Sequence, residues 1–234
     1  MAVERKINKG NYIIAAILTI MVFVLGLSLG FLFDNLRLNY SETINKESEV
    51  NYLSLQFQYL YLTTLQNTNS SCAVLHSAIE KSTKDLSESL QDFITFKENT
   101  KLNKKEYELI GRRYILDNLK YWLLARKAKE ECNLDVVNVL YFYSEEHCQI
   151  CPNQGVVLTY FKKQFGDSLL VFPIDVDYEE KEPIISILLD QYDIREYPTL
   201  IIEDRKHSGL IPNTEFKELI CNSFQDEKEI CKKD

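Results

Sequence analysis

Apolar positions along this chain change their spacing twice, and each regime predicts a different kind of element. From Tyr12 to Phe33 they are nearly continuous: 22 residues carry no charge, which at about 1.5 Å per helical residue reach roughly 33 Å, enough for a bilayer core. From Ser41 to Cys132 the chain is almost free of Gly and Pro and rich in Leu, Glu, Lys, Gln and Ala. Helices are predicted at about 42–66, 70–98 and 104–132, with breaks at "QNTNSS" and "ENTKLNKK". Leu75, Ile79, Leu86, Leu90 and Phe93 recur at helical spacing as one buried stripe, and Tyr107, Ile110, Tyr114, Tyr121 and Leu124 form a more aromatic one. Beyond Cys132, short apolar runs alternate with helical patterns. Strands are predicted at 136–144, 168–176, 199–204 and 206–211, and helices at 149–165, 181–194 and 213–224. That alternation indicates an α/β sandwich with helices on both faces of the sheet, its last two strands forming an antiparallel hairpin about "EDRK".

Charge orients the first element. Arg5, Lys6 and Lys9 precede the uncharged run, whereas Arg37 is the single cation in the ten residues after it. By the positive-inside bias, residues 1–11 stay in the cytoplasm, 12–33 span the membrane and everything later is extracytoplasmic. A cleaved signal peptide is the competing reading. It fits less well, because signal cores run about 7–15 residues and end in a small-residue cleavage site, while this run ends in "GFLFDN". Gly26 and Gly30 have the GxxxG spacing through which two spans can approach, although such glycines more often face lipid. The sequence therefore divides into a cytoplasmic tail (1–11), a span (12–33), a helical region (34–132), an α/β domain (133–224) and a tail (225–234).

Outside the cytoplasm, thiols that can pair tend to become disulfides. If the helices at 70–98 and 104–132 fold back about a turn near Lys101, Cys72 and Cys132 are equidistant from that turn. A disulfide between them is predicted; unpaired buried thiols are the bland alternative. Cys221 and Cys231, ten apart, read as a structural clip tying the tail to the last helix. Cys148 and Cys151 sit three apart where a helix begins, in "SEEHCQICPNQ". There the unpaired N–H groups and the helix dipole favour a thiolate. A protonated His147 favours it further, and Glu145 and Glu146 oppose it. Cys148 is then the attacking nucleophile and Cys151 the resolving thiol. Pro152 falls in the first turn, where a missing N–H costs nothing. A zinc site would need further ligands at suitable spacing; there is no second CxxC and no HxxxH, and His76 and His207 lie in other elements. No metal and no cofactor is predicted.

The order of features from about Val136 to Phe224 resembles the thioredoxin superfamily: "YFYSEEHCQIC" resembles its strand, loop and CxxC, "FPIDVDYEE" its next strand ending at Asp175, and "QYDIREYPTLIIEDRKHSGLI" its Pro-Thr-Leu block with the hairpin after it. The resemblance implies a cis peptide before Pro198 that sets Tyr197 and the neighbouring backbone against the active cysteines. It also implies thiol-disulfide exchange with protein substrates. Departures are visible. The acid that thioredoxin buries beneath its second cysteine corresponds to Phe142, the acid's lysine partner to about Val171, and the Trp before the first cysteine to His147, with Gln149 and Ile150 between the cysteines. The proton of Cys151 must then leave to water, Glu145, Glu146 or His147.

Charge narrows the partners. Residues 133–234 hold 20 Asp and Glu against 10 Lys and Arg, while the rest of the chain is nearly balanced, so the acidic domain repels nucleic acid. The basic run on the third helix (Arg112, Arg113, Lys120, Arg126, Lys127, Lys129) is predicted to be a solvated face paired with Glu80, Asp85, Glu88 and Asp92. Together these readings predict a membrane-anchored, extracytoplasmic thiol-disulfide oxidoreductase acting on protein thiols or disulfides, with a membrane redox partner if it works as a reductase. The alternative is a thioredoxin-like binding module in which the cysteines are inert.

Overall fold

The uncharged run forms one helix, α1 (Ile13–Gly30), long and apolar enough to cross a membrane. In the computed structural model the described residues are 13–30, 69–98 and 104–232. They belong to two units, Met1–Leu65 and Gln66–Asp234. The helix predicted over 42–66 lies outside the described residues.

Within the second unit, helices α2 (Asn69–Glu98) and α3 (Lys104–Cys132) pack as an antiparallel pair. Phe93 of α2 stacks on both Tyr107 and Tyr114 of α3, with centroids 5.6 and 5.3 Å away. Among the described side chains of α2, Leu75, Ser82, Ser89 and Phe93 are the buried ones. The small serines let the two helices approach where larger side chains would separate them. Leu90, which falls on the predicted stripe, is exposed.

The helix α3 carries a second apolar face. Ile115, Leu119, Trp122 and Ala125 are buried and share one cluster with Leu140, Phe172 and Leu188 of the α/β region. Tyr121 meets Phe172 edge-on at 5.4 Å. Thus the change of pattern at residue 132 is not a boundary of the core, which runs across it.

The sheet has strands β1 (Val137–Tyr143), β2 (Leu169–Asp175), β3 (Thr199–Ile202) and β4 (Arg205–Ser208), in the order β2-β1-β3-β4. β1 runs parallel to β2 and antiparallel to β3, and β3 and β4 form the closing hairpin. Its turn residues Glu203 and Asp204 take positive φ of 47° and 66°. That left-handed pair matches the twist of a two-residue hairpin.

Burial on both faces explains why β1 reads as an apolar run interrupted only at Asn138. Leu140 and Phe142 project into the cluster shared with α3 and α5 (Pro183–Gln191). Val137, Val139 and Tyr141 project into the opposite cluster with α4 (Cys151–Phe165) and α6 (Asn213–Cys221). The result is the helix-sheet-helix sandwich the sequence predicts.

The basic residues of α3 pair differently from the prediction. Lys120 alone meets an acid of α2, Asp85 at 3.0 Å. Arg112 pairs with Glu182, Arg126 with Asp204 through two bonds of 2.9 Å, and Lys129 with Glu203 at 3.0 Å. Arg113 and Lys127 pair within α3, with Asp117 and Glu131. Because α3 is a layer of the sandwich, Arg112, Arg126 and Lys129 face the acidic domain rather than α2.

The C-terminal tail is held. Asp135 accepts the Gln225 N–H at 2.8 Å and pairs with Lys228 at 2.6 Å, and Phe224 stacks on Phe165.

Candidate functional site

Three chain segments converge at one end of the sheet. β1 ends at Tyr143 and runs into the loop that carries Cys148. In the parallel register Tyr143 faces Asp175, so the end of β2 lies beside it. In the antiparallel register Phe142 faces Thr199, which puts Tyr197 and Pro198 level with the start of the Cys148 loop. The Tyr197–Pro198 peptide is cis. Pro198 offers its carbonyl to the Gly209 N–H at 2.8 Å, and Tyr197 is half-buried against the core.

Cys151 is the first residue of α4, and Cys148 precedes it in the loop. The two are disulfide-bonded, with Cα atoms 5.5 Å apart. No side chain caps the start of α4, but Pro152 has no N–H and the Asn153 N–H is bonded to the Ile150 carbonyl, so what this start offers the sulfurs is chiefly the helix dipole. The two sulfurs have different surroundings: Cys148 is half-buried, whereas Cys151 is 1% exposed. Tyr141 donates its hydroxyl to the Cys151 carbonyl at 2.6 Å inside the domain. Cys72 is bonded to Cys132 across the open end of the α2–α3 pair, and Cys221 to Cys231 across the tail.

The polar residues around Cys148 divide into paired and solvated ones. Glu145 is ion-paired with Lys97 of α2. His147 is solvent-facing, with 78% of its side chain exposed and its Nε2 3.9 Å from Glu146. Its backbone N–H donates to Ser144 Oγ at 2.7 Å. Ser144 in turn donates to Asp177 Oδ1 at 2.6 Å, and Asp177 Oδ2 accepts the Glu146 N–H at 2.9 Å. One carboxylate thereby holds the loop in front of Cys148.

Phe142 is 0% exposed and belongs to the apolar cluster on the α3 and α5 side, while Val171 packs on the opposite cluster. The carboxyl buried near this end of the sheet is Asp175 instead, 6% exposed. By strand alternation it lies on the face of Tyr141 and of α4. Burial, helped by the charges of Asp177 and Glu145, pushes its carboxyl up to about 7, against a bond from the Asp177 N–H. Burial likewise raises Tyr141 and Tyr143, with Asp175 adding to it. Sequence reasoning assigned no role to Asp175, Asp177, Ser144 or Tyr141. The one signal was the pair of acids at a strand end in "FPIDVDYEE", and only burial separates those two chemically. Among the described residues no group of three or more His, Cys, Asp and Glu could hold a metal ion.

A sheet of order β2-β1-β3-β4, a CxxC opening the helix after the central parallel strand, and a cis-proline leading into β3 define a thioredoxin-like domain. No protein-family model and no curated protein matches the chain. Solved structures similar to it include chloroplastic thioredoxin z, 19% identical over 42% of this chain and 88% of that one, at a TM-score of 0.33. Thioredoxin O2 from Arabidopsis thaliana is 17% identical over 42% and 83%, at 0.32. The exposed lipoprotein thioredoxin Etrx1 of Streptococcus pneumoniae is 17% identical over 37% and 84%, at 0.31. The fold assignment rests on the sheet order and on the positions of the cysteines and proline.

Proposed function

We propose that this chain is a thiol-disulfide oxidoreductase held at a membrane by residues 12–33, its thioredoxin-like domain on the extracytoplasmic side. The observation that supports it is the asymmetry of the cysteine pair: an accessible Cys148 at an uncapped helix start and a buried Cys151 behind it. In the reduced form Cys148 thiolate attacks one sulfur of a substrate disulfide, and the other substrate sulfur leaves as a thiolate that takes a proton from solvent. Cys151 then loses its proton and attacks Cys148 Sγ. The Cys148–Cys151 bond forms, the mixed disulfide breaks and the second substrate thiol is released. Run backwards, the same steps oxidise a dithiol substrate.

Placing the attacked sulfur outside and the resolving sulfur inside favours a productive order of events, because foreign sulfurs reach Cys148 alone. With phenylalanine at position 142, the proton acceptor in this reading is Asp175, buried on the α4 side with its carboxyl pushed up to about 7. Tyr197 and Pro198 supply the wall at the β3 edge of the site. His147, which faces solvent, acts through its charge when protonated.

Two substitutions test the reading. Cys148→Ser abolishes turnover of a protein disulfide, whereas Cys151→Ser accumulates mixed disulfides with substrates, visible as species that collapse on reduction. Protease added to intact cells or sealed vesicles digests those species if the domain is extracytoplasmic. Equal turnover by wild type and Cys148→Ser would leave a binding module with inert cysteines.

A further inference from the structure

We infer that the α2–α3 pair positions the redox loop, through Tyr178 seated on Gly111. The inference rests on the oxidoreductase reading for its meaning but on separate contacts for its argument. Tyr178 closes the short 3-10 turn Val176–Tyr178 after β2, which also carries Asp177. Its ring lies on the backbone of α3 at Gly111, so closely that a methyl built there would overlap Tyr178 Oη and Cζ. Tyr107, also on α3, stands close enough to Tyr178 to act on its hydroxyl electrostatically. Gly111 is therefore a notch: a helix interior accepts the least helical residue short of proline because any side chain would expel the tyrosine.

From that seat the connection to the cysteines is short. Tyr178 fixes the turn, the turn fixes Asp177, and Asp177 holds Ser144 and the Glu146 N–H while Ser144 holds the His147 N–H. Cys148 follows directly. A second link, Lys97 of α2 to Glu145, is half exposed and adds little by itself. Ordering this loop raises the effective concentration of the Cys148 sulfur at Cys151, so it favours the disulfide over the dithiol. Displacing Tyr178 frees the loop and makes the couple easier to reduce. The residues concerned are positioning residues: none of Gly111, Tyr178 and Asp177 is placed against the sulfurs.

The test equilibrates the full chain, in detergent, with reduced and oxidised glutathione. Two glutathione thiols give one glutathione disulfide as the Cys148–Cys151 disulfide becomes a dithiol. Thiols are trapped by alkylation and the 148/151 peptide is quantified by mass spectrometry. Asp177→Ala shifts the midpoint towards reduction by about tenfold, the loss expected when a charge-assisted bond no longer orders the loop. Gly111→Ala shifts it the same way by about threefold or more, although alanine improves the helix itself. In a Tyr178→Leu background Gly111→Ala has no further effect, because the group it would displace is gone. A Gly111→Ala midpoint within about twofold of wild type overturns the inference, as does a full shift that persists in Tyr178→Leu. Should Gly111→Ala fail to fold, Tyr178→Phe, which removes the hydroxyl seated on Gly111, must move the midpoint in the same direction, and an unmoved midpoint refutes the coupling. The midpoint needs no protein substrate. A wild type that equilibrates with glutathione but never turns over protein disulfides defeats the oxidoreductase reading and leaves this inference standing.

Discussion

Asp175 is a carboxyl whose environment opposes its charge. Its ordinary value of 3.8 is raised to about 7 in the folded domain, so between those pH values the folded chain holds a proton that the unfolded chain has released. Stability from this group is fully present below about pH 4 and is lost as pH rises through 7, on the order of 4 kcal/mol in all. Asp175→Asn keeps an oxygen for the Asp177 N–H and removes the titration. Urea midpoints of wild type and variant should therefore diverge from pH 4.5 to about 7 and level off above it, the variant becoming the more stable, and midpoints parallel throughout would show that Asp175 is ionised at every pH tested. The sequence named Asp175 only as the end of a strand. Charge, type and position were legible, but burial was not, because it depends on the layers that close over the end of β2, and the charge of Glu145 reaches it from a distant part of the chain. Phe142 shows the converse: its apolar character announced that the usual acid is missing, and the position is filled by core.

Among elements, α3 repays the closest comparison. Its range, 104–132, was legible to the residue because periodic apolar positions and a turn-rich break mark helices strongly. Its aromatic stripe was legible too. Its second face, Ile115, Leu119, Trp122 and Ala125, was not distinguished, since a helix packed on two sides loses the contrast that periodicity relies on. Gly111 gave no signal either; a lone glycine in a helix has a reason only when the neighbouring tyrosine is in view. The Cys72–Cys132 bond closes the α2–α3 pair over 60 residues. By loop entropy, replacing both cysteines with serine destabilises the unit by about 4 kcal/mol. Thermal denaturation should show a melting temperature lower by roughly 10 °C. A shift under about 2 °C would mean that helix packing alone fixes the pair.

For the whole molecule, the core that crosses residue 132 makes the helical pair and the α/β region one folding unit. Expressing residues 133–234 alone leaves Phe172, Leu188 and Leu140 without their cover from α3. We expect that fragment to lack near-ultraviolet circular dichroism and a cooperative unfolding transition. Trp122→Ala in the full chain, a milder version of the same loss, should cost about 3–5 kcal/mol. A fragment that unfolds as sharply as the full chain would make the helices a dispensable appendage. The pairing of basic α3 with Glu182, Glu203 and Asp204 follows the same logic: near-balanced and acidic segments meet at one interface, which net charge by segment suggested only as repulsion of nucleic acid.

What the sequence determined by itself is whatever depends on local order along the chain. An uncharged run of bilayer length, helices of period 3.6, strands of period 2, and a CxxC at a helix start followed by Tyr-Pro-Thr are all short-range patterns, and side-chain direction repeats faithfully with them. Which faces meet was left to the tertiary structure: α3 against the sheet, Tyr178 in the Gly111 notch, Asp177 under the Cys148 loop, Asp175 sealed from water. Those outcomes depend on desolvation and on distances between residues far apart in sequence. Such quantities acquire values only once the whole core has closed.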